Sequence, residues 1–297
     1  MPDTPNISIV IRTFNEARWL GPLLESIRLQ RTNGASHEVV VVDSGSTDGT
    51  LDIAERFGCR VEHIRKEDFS FGRSLNIGCR AARGEVLVFV SGHCVPEGDG
   101  WLEALCRPIL AGKAEYLYGR QVGGERSRFS ECRIFRKYFP ADTALPQEGY
   151  FCNNANAALS RACWEQYGFD EELTGLEDID LARRMERDGR IIGYVAEAVV
   201  AHHHDESWRQ VRRRFEREAL ALRKIMPQII IRRRDLVFYI LVSVFKDCCC
   251  AFRGGMLPSK AKEIVCYRVN QYLGSYTGNH EHRKLSRQEK HKYFYPE

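Results

Sequence analysis

Three things are missing from this chain of 297 residues: an apolar run long enough to span a bilayer, a C-x-x-C pair among its eleven cysteines, and a strong excess of charge of either sign. A membrane-spanning helix needs ~20 apolar residues, and the run at 236–245 is about half of that. Without paired cysteine spacing a structural zinc site has little support. Eleven cysteines in a chain of this length are far from the density of a small disulfide scaffold, and the opening MPDTPNISIV has no basic segment leading into an apolar one. No signal peptide is therefore expected, and reduced thiols in the cytoplasm are the simpler account. The net charge of +4 is small for the size, and the arginines that crowd between 209 and 234 suggest a local anionic partner rather than general nucleic-acid binding. At 43% hydrophobic and 28% charged residues the composition is that of an ordinary globular chain, long enough for one sizeable α/β domain and an appendage.

What is present is organised by residues 7–58. The runs at 8–11 and 38–42 are rich in Val and Ile and lack period-two alternation, which fits strands buried on both faces of a parallel sheet. Each is closed by a polar cluster, Arg12-Thr13-Phe14-Asn15-Glu16 and Asp43-Ser44-Gly45-Ser46-Thr47-Asp48-Gly49-Thr50. In parallel sheets ligands collect beyond the carboxyl ends of the strands, where these clusters lie. An Asp leaving a strand can accept hydrogen bonds from a ribose or a base, while Ser46, Thr47 or Asp48 can also simply cap the following helix. Further strands are expected at 60–64, 85–90, 114–122 and 191–200.

Together with Gly72-Arg73-Ser74-Leu75-Asn76-Ile77-Gly78 and Gly175-Leu176-Glu177-Asp178-Ile179-Asp180-Leu181, these clusters form four ordered blocks. The set resembles the family 2 glycosyltransferases. The resemblance implies an α/β fold of GT-A type, a Rossmann-like, mostly parallel sheet flanked by helices with a C-terminal helical appendage. Its expected divisions are a catalytic domain at 1–205, with a nucleotide-binding half at 1–90 and an acceptor half at 91–205. A helical region at 206–278 and a partly ordered tail at 279–297 follow. The implied reaction is inverting transfer from a nucleotide-sugar to a saccharide or lipid-linked saccharide in surface polysaccharide synthesis, in the cytoplasm at the inner face of the membrane.

By the same resemblance Thr13, Asn15, Glu16, Asp43, Ser44, Ser46, Arg73, Asn76 and Ser91 are expected at the nucleotide. Arg73 near a helix start suits a pyrophosphate, with pairing to Glu67 or Asp68 as its structural alternative. The strand at 85–90 delivers Ser91-Gly92-His93 where the family usually carries Asp-x-Asp. Losing both carboxylates weakens a hard magnesium site, while imidazole still suits manganese or softer ions. His93 therefore reads as a metal ligand, as a donor to the leaving phosphate, or as a loop histidine. Of His202-His203-His204 not all can face one ion, because alternate side chains of a strand point to opposite faces; His202 or His204 is the expected further ligand. Asn153 and Asn154 fall where the family lines its acceptor side.

Glu177-Asp178-Ile179-Asp180 opens a helix. The helix dipole and pairing with Arg183 or Arg184 account for Asp180, but adjacent helix positions point apart, so neither explains why Glu177 and Asp178 stand together. Transfer to a hydroxyl needs a carboxylate base. By resemblance Asp178 is that base and Glu177 orients the acceptor. Farther on, Ser207-Trp208-Arg209-Gln210 matches a capping box, and Trp208, Val211, Phe215, Leu222 and Ile225 form an apolar stripe opposite a solvated arginine face. Arg232-Arg233-Arg234 beside the apolar 236–245 run suits peripheral membrane contact through 207–252, against a buried helix or homodimer interface. Two rival functions remain: a scaffold of the same fold without transfer activity, and a nucleotidyltransferase. The latter would need a Gly-rich basic signature that Thr13-Phe14-Asn15-Glu16 does not supply.

Overall fold

A computed structural model of the protein describes residues 5–281, 289, 293 and 294, so the tail expected from 279 falls largely outside the described residues. The chain forms two compact units. One comprises the residues up to Val122, Phe139–Glu172 and Glu177–His203; the other comprises Gly123–Tyr138, Leu173–Leu176 and the chain from His204 onward.

In chain order the elements are β1 (Ile7–Thr13), α1 (Ala17–Arg28), β2 (His37–Asp43), α2 (Thr50–Arg56), β3 (Arg60–His63), α3 (Phe71–Ala81), β4 (Val86–Ser91), β5 (Cys94–Pro96), α4 (Trp101–Leu110), β6 (Tyr116–Gly123), α5 (Phe129–Tyr138), β7 (Asn156–Ser160), α6 (Arg161–Tyr167), α7 (Glu177–Arg187), β8 (Ile192–His202), α8 (Trp208–Ile225), α9 (Arg233–Arg253) and α10 (Leu257–Asn279).

The sheet of the first unit runs β3-β2-β1-β4-β7-β6-β8-β5. Strands β3, β2, β1 and β4 are parallel, and β7 joins β4 antiparallel. Both faces of β1 are covered, which is why its apolar run is continuous rather than alternating. Ile7, Ile9 and Ile11 enter a cluster with Leu20, Leu23 and Ile27 of α1 and Trp101, Leu102 and Leu105 of α4. Val10 points the other way, toward Gly78 of α3, where a Cβ would overlap Val10 and crowd Val42. The short β5 and β7 and the helices α5 and α6 were not legible from periodicity. In β7 the buried positions Ala157 and Ala158 carry too little apolar bulk to signal a strand.

In the second unit the capping box of α8 is present: the Gln210 N–H donates to Ser207 Oγ (3.3 Å) and the Ser207 N–H to Gln210 Oε1 (2.8 Å). The buried face of α8 differs from the expected stripe. Val211, Ala219, Leu220, Ala221 and Ile225 are buried, whereas Trp208, Phe215 and Leu222 are half-covered. The reason is α10, whose Gly274 and Gly278 sit against the Arg212 and Glu216 carbonyls and draw the two backbones together. Arg214, outside the expected arginine face, reaches Glu131 and Glu206 (2.8 Å each). Burial opposes ionisation of Glu131, yet the hydrogen bond from His204 Nδ1 (2.7 Å) and the Arg214 charge hold it down to about 2. Asp247 of α9 is likewise buried between Arg133 and Arg268. Among the described residues no helix is long and apolar enough to cross a membrane, and the eleven cysteines form no disulfide.

Gly278→Ala puts a methyl group into the Glu216 carbonyl and must part α8 from α10. It is expected to lower the urea midpoint by the equivalent of about 1–3 kcal/mol despite alanine's better helix propensity.

Candidate active site

The parallel register sets Thr13 beside Asp43 and Arg12 beside Ser91, so the loops leaving β2, β1 and β4 emerge side by side. The first two are latched together. Asn15, in left-handed backbone (φ 55°), donates its N–H to Ser46 Oγ (2.8 Å) and accepts the Thr47 N–H at Oδ1 (2.8 Å). The Glu16 N–H donates to Thr50 Oγ1 (2.8 Å) and the Ala17 N–H to Asp48 Oδ2 (3.0 Å). Asp43 is fully buried beneath them. One oxygen accepts the Gly45 and Ser46 N–H groups (2.8 and 2.9 Å), and the other accepts the Thr13 and Ser46 hydroxyls. Ser44 is buried too, donating to the Thr13 carbonyl (3.2 Å). Asp43, Ser44, Thr13 and Ser46 thus hold the two loops together, and Asn15 is the exposed member of the set.

Arg73 takes neither carboxylate expected as its structural partner. Its Nε donates to Glu171 (2.8 Å), and only the main-chain carbonyl of Asp68 receives another of its N–H groups (2.9 Å). Asn76 is buried and saturated, donating to the Phe169 carbonyl and Glu171 and accepting from Trp164 Nε1 and the Phe169 N–H. It clasps α3 to the segment after α6.

Beyond β4, His93 Nδ1 meets Glu16 Oε1 (2.7 Å), and a carboxylate there requires an N–H donor. His202 Nδ1 meets Gln121 Oε1 (2.7 Å). Gln121 donates its amide to Asn153 Oδ1 (2.9 Å), so its carbonyl faces the ring and His202 Nδ1 is again the donor. Both Nε2 lone pairs consequently point at each other across 3.1 Å, an arrangement that needs a proton or a cation between them. Each imidazole is held from behind by an acceptor, the outer-shell pattern of metal-ligating histidines. His203 stacks on Trp19 (3.6 Å, 13°), and His204 belongs to the second unit with Glu131.

Glu177 and Asp178 open α7, and Leu176 before them holds left-handed backbone (φ 56°), a conformation that costs a bulky residue and is found where a site over-determines it. The two carboxylates point apart. Glu177 pairs with Arg12 (3.4 Å), whose guanidinium lies 4.9 Å over Phe71. Asp178 accepts the N–H groups of Asn154 (3.0 Å) and Ile179 (2.8 Å) and is buried. Burial and then the adjacent Glu177 charge push it up to about 7, against the pull of those two bonds and Arg12. Beside it the Asn154 amide accepts from Tyr116 (2.7 Å) through oxygen, while its Nδ2 is buried with no protein partner among the described residues.

Residues 8–168 match the sequence profile described as Glycosyl transferase family 2. The chain belongs to that family. As a family 2 glycosyltransferase it is a transferase enzyme of GT-A fold, and solved structures that it resembles agree in fold. A mannosyltransferase from Pyrobaculum calidifontis in complex with GDP-Man and Mn2+ superposes with TM-score 0.62 over 95% of this chain and 89% of its own, at 17% identity. TarS of S. aureus in complex with UDP-GlcNAc superposes with TM-score 0.56 over 94% and 93%, at 16% identity. In sequence, the O-antigen chain rhamnosyltransferase WbaN of Salmonella anatum is 26% identical over 224 residues, 71% of this chain and 70% of that protein. Arg12, Gln121 and Glu171 were not singled out from the sequence. Arg12 stood inside the first motif, whereas Gln121, next to Arg120 in β6, carried no sequence signal that set it apart.

Asp178 titrates above the ~3.9 of an unfolded aspartate, so folding takes up a proton between roughly pH 4 and 7 and wild-type stability falls as pH rises through that window. Asp178→Asn is therefore expected to melt higher than wild type at about pH 8, with the gap closing on acidification. Thermal melts across pH test this; an unchanged or lowered melting temperature at the alkaline end contradicts it.

Proposed function

We propose that the protein transfers a sugar, with inversion, from a nucleotide diphosphate donor to a saccharide hydroxyl in surface polysaccharide synthesis, with Asp178 as general base. The observation that carries this is a buried carboxyl pushed up to about 7 beside the orphaned Asn154 amide. A base of that strength removes a proton near neutral pH. The acceptor oxygen bonds the anomeric carbon as its proton passes to Asp178, the carbon's bond to the donor phosphate breaks, and the electron pair leaves with the diphosphate. Asn154 Nδ2 donates to the acceptor, and Glu177, fixed by Arg12, orients it. The latched loops of Thr13, Asn15, Asp43 and Ser46 receive the nucleoside, and Arg73 lies toward the phosphates. A GDP-sugar and a UDP-sugar in the two solved relatives, and an O-antigen enzyme among the sequence relatives, support donor and pathway.

His93 and His202 would hold a divalent ion of manganese type, which when bound supplies positive charge to the leaving diphosphate. Glu16 and Gln121 keep both rings in the tautomer that offers Nε2.

Calorimetric titration with a panel of GDP- and UDP-sugars, with and without manganese, is expected to show metal-dependent binding that His93→Ala abolishes. Binding unaffected by metal and by that substitution overturns the metal assignment. In turnover, kcat is expected to rise with pH through about 7 as Asp178 ionises beside Glu177, Tyr116, Cys152 and Arg12. Asp178→Asn should lose ~10²–10⁴-fold in kcat with donor affinity retained. Donor binding with no transfer in the wild type would leave the scaffold reading standing.

A further inference from the structure

Helix α9 packs one side and leaves the other bare. On the packed side Tyr239 stacks on Tyr272 of α10 (5.8 Å, 24°), Ser243 and Tyr272 share a hydrogen bond (2.7 Å), Asp247 is enclosed by Arg133 and Arg268, and Ala251 is buried. On the other side Phe238, Leu241, Phe245 and Phe252 are 60, 64, 69 and 72% exposed, with Val237 beside them. Their spacing keeps them on one helical stripe, and isolated exposed apolar residues are ordinary whereas such a stripe marks a contact surface.

The exposed charged residues of this helix are all basic. Arg232, Arg233 and Arg234 are exposed at its start, and Lys246 and Arg253 are exposed along its flank. The acids of the helix offset them only in part. Asp235 accepts the Arg232 N–H (2.9 Å) and lies 3.8 Å from Arg234 Nε, while Asp247 is buried in its own ion pairs. A second copy docked by the same face would set cations against cations, because a two-fold interface pairs a patch with itself. The complementary partner is at once apolar and anionic, and the helix does not meet the length and apolarity needed to cross a membrane.

We propose that the exposed face of α9 lies in the surface of an anionic bilayer, with its phenylalanines and leucine at the acyl boundary and the flanking arginines among the headgroups. This goes beyond the transfer reaction and does not depend on it, since vesicle binding is read without donor or acceptor. Flotation of the full chain with vesicles is the test. Wild type is expected to float with vesicles of phosphatidylglycerol and phosphatidylcholine, and to float far less with phosphatidylcholine alone or at raised salt. The double variant Arg233→Gln/Arg234→Gln should bind roughly thirtyfold more weakly, each arginine contributing about a factor of five near the surface. Phe245→Asp should abolish binding with an unchanged thermal melt and unchanged sugar-nucleotide titration. Absence of flotation, or equal flotation with neutral and anionic vesicles, overturns the proposal. So does a dimer in sedimentation velocity that Phe245→Asp dissociates, which would assign the stripe to a second copy.

Discussion

The parallel register of β2, β1 and β4 is the constraint from which the site is built. A slip of one residue would turn every side chain of β1 to the other face, take Ile9 and Ile11 out of their cluster with α1 and α4, and separate Thr13 from Asp43. With the register held, two loops that would otherwise be independent share one hydrogen-bond network, and the carboxylate at its centre is buried with donors on both oxygens. An ionised carboxylate can be buried at tolerable cost only when so surrounded. The same bonds fix Glu16 at the start of α1, and through Glu16 they fix the ring of His93 on the loop after β4.

Two buried carboxylates show how the fold tunes acidity in opposite directions. Glu131 has an imidazole and a guanidinium within hydrogen-bond distance, and these outweigh its burial. Asp178 has only two backbone donors and a carboxylate next to it in sequence, so burial wins. The first arrangement ties α5 to α8 and stabilises the second unit. The second keeps a carboxyl near the point of ionisation in water-poor surroundings, a state that gains the fold nothing and suits proton transfer.

Much of this was legible in the sequence because the central strands are long, apolar and closed by polar clusters. The positions of β1, β2, β4 and β8, the cap of α8 and the pairing of Glu177 with Asp178 at a helix start all followed from local pattern. What stayed hidden depends on partners distant in the chain. Arg73 finds Glu171 and Asn76 finds Phe169, each more than ninety residues away, and no local spacing announces either. The buried side of α8 was misread for the same reason: its stripe was chosen by hydrophobicity, but Gly274 and Gly278 decide which side α10 can approach.

The replacement of Asp-x-Asp by Ser91-Gly92-His93 has a structural answer in Glu16. The imidazole stands where a carboxylate is usual, and the carboxylate is one residue farther out, bound to the back of the ring at 2.7 Å. Negative charge is thus retained beside the proposed cation site but no longer touches it, and Glu16 fixes the orientation of the ring that does. A first contact made through nitrogen would favour borderline ions over magnesium. His202 completes the pair from β8, held by Gln121, which in turn is anchored by Asn153 next to the residue whose N–H binds Asp178. The groups proposed to face the leaving phosphate and the group proposed to take the acceptor proton are therefore linked through adjacent asparagines.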